Sequence, residues 1–309
     1  MRVFVAGFEE HWRCLRTSSN NIPDNDYAML CFLLMVKYEH YYKELEKVSK
    51  EKEVKLFLDS GAFSAWTKGI QINIDEYIAF IKKWKKYIEV YANLDVIGDA
   101  EGTYKNQKYM EKRGLKPLPV FHLQDDFSWL EKYLKEGYDY IGIGGMAGKQ
   151  TVGNRKYFLD RLWDRITDKN GYPIIKAHGF GMTSINLIVK FPWYSVDSTS
   201  WLNASRMGNI LVPKSSKDGY VYTQKPLSVA VSDKSPLVKD FGKHFTSFTE
   251  QEKKYVKNYL KTIGVTLKEV TEDYKIRDRV CVLFFQRLQD ALPKWPWAMK
   301  KGNIRRSFL

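Results

Sequence analysis

One arrangement recurs along this chain and restricts what it can fold into. A short apolar run ends on a polar or very small residue, and a stretch with helical spacing follows. Residues 54–66 are the clearest instance. Leu56-Phe57-Leu58 has the length and character of a buried strand, and it stops on Asp59, ahead of Ser60-Gly61-Ala62-Phe63. A carboxylate where a buried strand meets a small-residue loop costs free energy unless it is solvated, paired or used. Taken alone, Asp59 reads as a turn cap, because Asp, Ser and Gly are turn formers. The repetition argues for chemistry.

In chain order, Val3-Phe4-Val5-Ala6-Gly7 reads as a first strand, and residues 26–50 as a helix, apolar at first and then charged. Strand two is 56–58. Residues 75–86 set Tyr77, Ile78, Ile81 and Trp84 on one side of a helix with lysines opposite. Strand three, 88–92, ends in Asn93-Leu94-Asp95, and a helix over 103–113 closes at Gly114. Strand four, 118–121, ends in His122-Leu123-Gln124-Asp125-Asp126 and leads to a short helix over 127–135. Strand five, 140–143, ends in Gly144-Gly145-Met146-Ala147, before a helix over 154–167. Strand six, 174–177, ends in His178-Gly179-Phe180-Gly181, before a short helix over 184–190. Strand seven, 194–196, ends in Asp197-Ser198-Thr199, and 209–212 reads as strand eight.

Strands alternating with helices imply parallel pairing. About eight such units imply an α/β fold of the TIM (β/α)8 barrel type over residues 1–212, with its active site at the C-terminal strand ends. One polar strand end is a turn. Six in succession, at Asp59, Asp95, His122, Gly144-Gly145, His178 and Asp197, read as a site. A doubly wound open sheet, the other architecture left open, gathers fewer of these ends into one crevice.

Beyond residue 212 the pattern changes. Residues 213–242 are polar and turn-rich, an insertion or a hairpin around Tyr220-Val221-Tyr222. Helices dominate residues 243–309, where Thr249…Glu252 and Thr266…Glu269 fit capping boxes and 273–290 has helical spacing. This extension holds 15 Lys+Arg against 7 Asp+Glu, more than half of the chain's formal net charge of +14. Such an excess suggests a polyanionic partner, nucleic acid before membrane. Lys300, Lys301, Arg305 and Arg306, interleaved with Trp295 and Trp297, suit a phosphate backbone with exposed bases, and a helical cap with a solvated end fits the same pattern. The three cysteines, Cys14, Cys31 and Cys281, are far apart, give no metal spacing and point to a reducing compartment. The first residues carry no signal-peptide pattern, and the longest apolar run, 27–36, is about half of a membrane span. A cytoplasmic protein without a membrane partner is expected.

Asp59 and Asp197, on opposite sides of the expected barrel, form the kind of pair that glycosyl transfer uses: one attacks the anomeric carbon, the other manages the leaving-group proton. Gly144-Gly145 lets a flat group approach the backbone. Phe63, Phe180 and Trp201 are suited to stack on a heterocycle, and Asn93, Asp95 and Gln124 to read a base edge.

The ordered set Asp59-Ser60-Gly61-Ala62-Phe63, Gly144-Gly145-Met146-Ala147, His178-Gly179-Phe180-Gly181 and Asp197 resembles the tRNA-guanine transglycosylase superfamily. That family carries Asp-Ser-Gly-Gly-Phe, a Gly-Gly-Leu-Ala-type loop, a His-x-x-Gly-type strand end and a late nucleophilic Asp. It also has an Arg, then Arg-x-Gly, after the nucleophile; here Asn203 stands at the first place and Arg206-Met207-Gly208 matches the second. The resemblance spans residues 54–208. It implies a TIM barrel that exchanges guanine for a 7-deazaguanine. By position, Asp197 is the implied nucleophile on C1′ and Asp59 the general acid/base. Asp95, with Gln124 and Gly145, is implied to bind the purine edge, and His178-Gly179-Phe180 to wall the pocket. Ser60, Gly61, Phe63, Asn93, His122, Gly144 and Met146 complete the implied base site. Trp201 and Arg206 join the basic tail as candidate nucleic-acid contacts.

The departures are equally specific. The Cys-x-Cys-x-x-Cys zinc motif of the transfer RNA enzymes is absent, and Ser198-Thr199-Ser200-Trp201-Leu202 differs from the family's segment. A zinc-less, shortened barrel is most similar to the DpdA-type DNA-guanine transglycosylases of phages and genomic islands. The implied partners are DNA and a free 7-deazaguanine base such as preQ0, with no cofactor and no metal, in the cytoplasm, which is the bacterial host's if the chain is phage-encoded. Three other readings stay open: an RNA-directed enzyme of the same superfamily, a nucleic-acid-binding barrel without catalysis, and a metal-dependent hydrolase using His122, His178, Asp59 and Asp197. His11, His40 and His244 have no context that singles them out.

Overall fold

Eight short strands build one parallel sheet: β1 (Arg2–Ala6), β2 (Tyr27–Cys31), β3 (Lys55–Asp59), β4 (Ile88–Tyr91), β5 (Val120–His122), β6 (Tyr140–Gly144), β7 (Lys176–Gly179) and β8 (Ser195–Ser198). The computed structural model describes residues 1–7, 27–31, 55–146, 152–182 and 184–299, and for 27–31 and 152 the backbone. The strand order is β4-β3-β2-β1-β8-β7-β6-β5. The two outermost strands also meet: Ala92, just past β4, bridges Leu118, just before β5, in parallel. Around that bridge Asn93 N–H donates to Leu118 O at 2.9 Å and Leu118 N–H to Tyr91 O at 2.8 Å.

Helices follow most strands: α1 (Ala62–Lys68) and α2 (Ile74–Trp84) after β3, α3 (Ala100–Lys112) after β4, α4 (Phe127–Lys135) after β5, α5 (Val152–Arg165) after β6, α6 (Ile185–Lys190) after β7 and α7 (Ser200–Arg206) after β8. Their starts are written locally. Asn73, Asp99 and Asp126 each accept backbone N–H groups at the first turns of α2, α3 and α4. This is a mixed α/β chain.

Side-chain alternation divides the sheet into two faces. Val3, Val5, Leu56, Leu58, Ile141, Ile143, Ala177 and Val196 belong to the large core shared with helix residues such as Tyr77, Ile81, Leu130 and Leu162. The opposite, inner face carries Phe4, Ala6, Phe57, Ala92 and Leu118, with Val90, Tyr140 and Phe180 packed against them. This second set draws on strands far apart in the sheet order. From β3 to β7 there are four inter-strand steps, roughly 19 Å in a flat sheet. Yet the Phe57 and His178 rings lie 4.4 Å apart. The sheet therefore curls strongly, with Phe57 also 5.4 Å from Phe4 and 5.7 Å from Phe180.

Past α7 the chain leaves this sheet. β9 (Asn209–Val212) pairs antiparallel with β12 (Leu227–Ala230), around the hairpin β10 (Lys214–Ser216) and β11 (Gly219–Val221). Three helices follow, α8 (Glu250–Thr262), α9 (Leu267–Glu272) and α10 (Tyr274–Ala291). Both expected capping boxes form, at Thr249–Glu252 and Thr266–Glu269. A second core joins Ile210, Val212, Val229 and Val231 to Val256, Tyr259, Leu260, Val280 and Leu283. The other side of α10 gives Val282, Phe284, Phe285 and Leu288 to the main core. Its Gln289 Oε1 accepts the Val3 N–H at 2.8 Å. Trp295 donates its indole N–H to Pro192 O, and Met299 N–H bonds Gly171 O at 3.0 Å. These contacts lie where β1, β7 and β8 begin.

Two expectations about strands are corrected. Residues 27–31 are a strand and not the start of a helix; the rest of the 26–50 helix lies outside the described residues. Residues 209–212 are a strand as expected, but they pair with Leu227–Ala230 outside the parallel sheet. The expected count of eight parallel strands is met with a different membership.

Candidate functional site

The chemistry-bearing residues gather where the parallel strands end. Because Phe57 belongs to the inner cluster, Asp59, two residues on, shares its face. The same two-residue step takes Val120 to His122, Gly142 to Gly144 and Ser195 to Asp197 on their strands. Asp59 is half-buried and engaged with other groups of the protein.

One cluster spans the ends of β3, β4 and β5. Ser60 donates its hydroxyl to Asp95 Oδ1 at 3.2 Å, and Asp95 Oδ2 lies 2.8 Å from His122 Nε2. Asp125 closes the other side of His122, accepting its backbone N–H at 2.9 Å and lying 3.5 Å from ring Nδ1. The second distance is a charge contact and too long for a good hydrogen bond. Burial disfavours a charged imidazole here, but Asp125 and Asp95 outweigh it and lift the His122 pKa from 6.5 to about 9. His122 is thus a buried imidazolium between two carboxylates at neutral pH.

Gly144 makes room for that ring: a Cβ at this position would fall 2.6 Å from His122 Cδ2. Gly145 has φ +78°, a backbone conformation that side chains rarely adopt, and a Cβ there would meet Leu123 at 2.9 Å. The Gly-Gly pair is required by what surrounds it.

A second cluster spans β6, β7 and β8. Asp197 Oδ1 accepts the Gly181 N–H at 2.6 Å, and His178 Nε2 lies 3.4 Å from the same oxygen without hydrogen-bond alignment. His178 Nδ1 is 2.7 Å from Ser195 Oγ, which is 2.6 Å from the Tyr140 hydroxyl. His178 is fully buried, and burial lowers its pKa more than Asp197 raises it, so the ring is neutral. Asp197 Oδ2 has no hydrogen bond among the described residues. The chain has two histidines at this rim in opposite charge states, one between two carboxylates and one beneath a single carboxylate.

The other candidates fall into place less uniformly. Phe180 packs on His178 at 4.5 Å and its side chain fills the space beside Gly142. Gly179 is closely packed on Trp193. Gly61, with φ 82°, opens α1, and Phe63 is exposed on that helix beside Trp66. Gln124 is exposed at the rim, whereas Met146 is buried. Asn93 is fully buried and donates its amide to Thr103 O at 2.8 Å, a bond that ties β4 to α3.

Trp201 requires a correction. Its side chain is 1% exposed and its indole N–H donates to Ala6 O at 2.9 Å, so it is core and offers no stacking surface. Arg206 is exposed at the end of α7. Lys300, Lys301, Arg305 and Arg306 lie outside the described residues.

Sequence reasoning missed Ser195, Tyr140 and Asp125 as partners in these clusters. Ser195 carried a signal, its two-residue spacing from Asp197, and Asp125 stood in the polar run after β5. Tyr140, at the start of its strand, gave none.

Among the described residues no group of three or more His, Cys, Asp or Glu side chains is arranged to hold a metal ion. None of their helices is long and apolar enough to cross a membrane. The chain matches no protein-family model, and no curated protein matches it in sequence.

Proposed function

We propose that the curled parallel sheet is a closed (β/α)8 barrel and that the chain is a DNA-guanine transglycosylase. In this reading it exchanges guanine in DNA for a 7-deazaguanine base. The contact between Phe57 of β3 and His178 of β7 carries the proposal. Asp59 stands one inward step beyond Phe57, and Asp197 is 3.4 Å from His178. The two carboxylates therefore flank one aromatic contact on one face, at one end of the strands. The Ala92–Leu118 bridge supports closure between β4 and β5.

In the proposed reaction Asp197 Oδ2 attacks C1′ of the target deoxyguanosine. The C1′–N9 bond breaks, and its electron pair leaves with guanine as Asp59 supplies a proton to the base. The Gly181 N–H, on Oδ1, holds the attacking carboxylate in place. The incoming base then gives its N9 proton to Asp59 and attacks C1′, releasing the Asp197 ester. Asp95, held by Ser60 and His122, is the acceptor for the purine edge. A guanine within a duplex must leave the stack to reach these groups, at a cost of a few kcal/mol. The net charge of +14 favours the polyanion.

The test is incorporation of a radiolabelled 7-deazaguanine into DNA and, in parallel, into transfer RNA. The proposal expects label in DNA. Label in transfer RNA alone would make the chain an RNA-directed enzyme of the same chemistry, and label in neither would remove the activity.

A further inference from the structure

The buried chain Tyr140–Ser195–His178 has a direction that its hydrogen atoms impose. A tyrosine hydroxyl brings one donor, a serine hydroxyl brings one donor, and a neutral imidazole has one N–H and one bare nitrogen. Three orders are conceivable, because a serine oxygen can accept two hydrogen bonds. In the first, Tyr140 donates to Ser195 Oγ and Ser195 donates to His178 Nδ1, which leaves the ring proton on Nε2. In the second, His178 Nδ1–H donates to Ser195, Ser195 donates to Tyr140, and the Tyr140 proton has no acceptor among the described residues; in the third, Tyr140 and His178 Nδ1–H both donate to Ser195 Oγ, and the Ser195 proton has no acceptor among them.

Two observations decide between them. The two hydroxyls have no hydrogen-bond contact beyond this chain among the described residues, so only the first order gives both the Tyr140 and the Ser195 proton an acceptor. His178 Nε2 is fully buried, lies 3.4 Å from Asp197 Oδ1 and has no aligned partner. A bare nitrogen lone pair facing a carboxylate oxygen is repelled, whereas an N–H facing it is attracted. Both observations put the proton on Nε2. Burial also opposes a second proton on the ring.

We infer that Tyr140 and Ser195 are positioning residues that fix His178 as the Nε2-protonated tautomer, with its N–H beside the Asp197 carboxylate. Phe57 and Phe180, at 4.4 Å and 4.5 Å from the imidazole, hold the ring plane. Asp197 Oδ1 then meets one hydrogen-bond donor, Gly181 N–H, and the favourable charge contact of His178 Nε2–H at 3.4 Å, while Oδ2 is left to react. The tautomer follows from the hydrogen-bond chain and the Asp197 contact; its effect on Asp197 chemistry rests on the proposed transglycosylase reaction.

The experiment is a long-range 1H–15N correlation spectrum of the full chain labelled with 15N-histidine, His178 being assigned by its loss in His178→Gln. The expected wild-type result at neutral pH is a protonated Nε2 and an unprotonated, hydrogen-bonded Nδ1. Tyr140→Phe, which removes only the terminal hydroxyl, should give mixed tautomers. Ser195→Ala should do the same, and Ser195→Thr, which keeps the hydroxyl, should retain the wild-type pattern. Where base exchange is measurable, Tyr140→Phe should lower kcat by roughly tenfold at unchanged KM. A wild-type His178 protonated on Nδ1, or a spectrum unmoved by both Tyr140→Phe and Ser195→Ala, would overturn the inference. Absence of base exchange with the expected spectrum would remove the transglycosylase reading and leave the tautomer assignment standing.

Discussion

At the C-terminal ends of the strands the chain places Asp59, Asp95, His122, His178 and Asp197; at the N-terminal ends it places α10 and the segment after it. The first end is built from ionisable groups held by other polar groups, such as Asp95 between Ser60 and His122. The second is built from apolar packing: Phe284, Phe285 and Leu288 join the main core, and Trp295 stacks edge-on to Tyr194 at 5.1 Å. Buried ionisable groups oppose folding unless they are paired. Their concentration at the C-terminal ends, with the N-terminal ends covered by the end of α10 and the segment after it, separates an ionisable rim from an apolar floor. It is the end of α10 and the segment after it that reach the strand starts; the start of α10 lies against α7, where the Ser205 hydroxyl donates to Tyr274 O.

This contrast can be broken experimentally, and the largest effects belong to the rim. Asp197→Ala and Asp59→Asn should each lower base exchange by about 10³-fold or more, with DNA binding retained. Gel-shift binding alongside the incorporation assay checks this, and near-normal exchange in either variant would remove that residue from its role. On the floor, Leu288→Ala should cost about 2–5 kcal/mol of folding stability, because a fully buried side chain leaves a cavity. Urea unfolding measures it. Exchange per folded molecule should be unchanged, and a selective loss of rate would show that the two ends are coupled.

The third effect is a pH dependence of stability. The folded pKa of His122, about 9, lies above the ordinary 6.5, so its charged form stabilises the native state. That stabilisation is complete below about pH 6.5 and is lost as pH rises through 9, on the order of 3 kcal/mol in all. Denaturant midpoints across this range should fall with pH in the wild type and flatten in His122→Asn. A wild-type profile that rises from pH 6.5 to 9 would contradict the imidazolium assignment. The smallest effect is on the extension: Thr249→Ala removes half of a capping box and should cost about 1 kcal/mol. Thermal melting reads it, and exchange should not change.

Much of the rim was legible because polar residues that interrupt apolar runs stand out in any sequence. Asp59, His122, His178 and Asp197 were found that way. The strands themselves were harder. Tyr27-Ala28-Met29-Leu30-Cys31 opens an unbroken apolar run, in which a buried parallel strand and a buried helix have no distinguishing period. Residues 209–212 have strand composition, but nothing local to them says that their partner is Leu227–Ala230 and not a parallel neighbour. The two errors offset each other in the strand count. Trp201 failed for a related reason: an aromatic residue after a strand end suits a stacking platform and a core position equally, and the bond to Ala6 O spans 195 residues of sequence. The Tyr140–Ser195 contact is likewise a product of the folded sheet.

The most direct measurement is a denaturing gel of protein mixed with guanine-containing DNA and no incoming base, followed by mass spectrometry of the linked peptide. A covalent DNA adduct on Asp197, absent in Asp197→Ala and diminished in Asp59→Asn, is the predicted result. An adduct that persists in Asp197→Ala, or that maps away from the inner rim, would contradict a shared role for these two carboxylates.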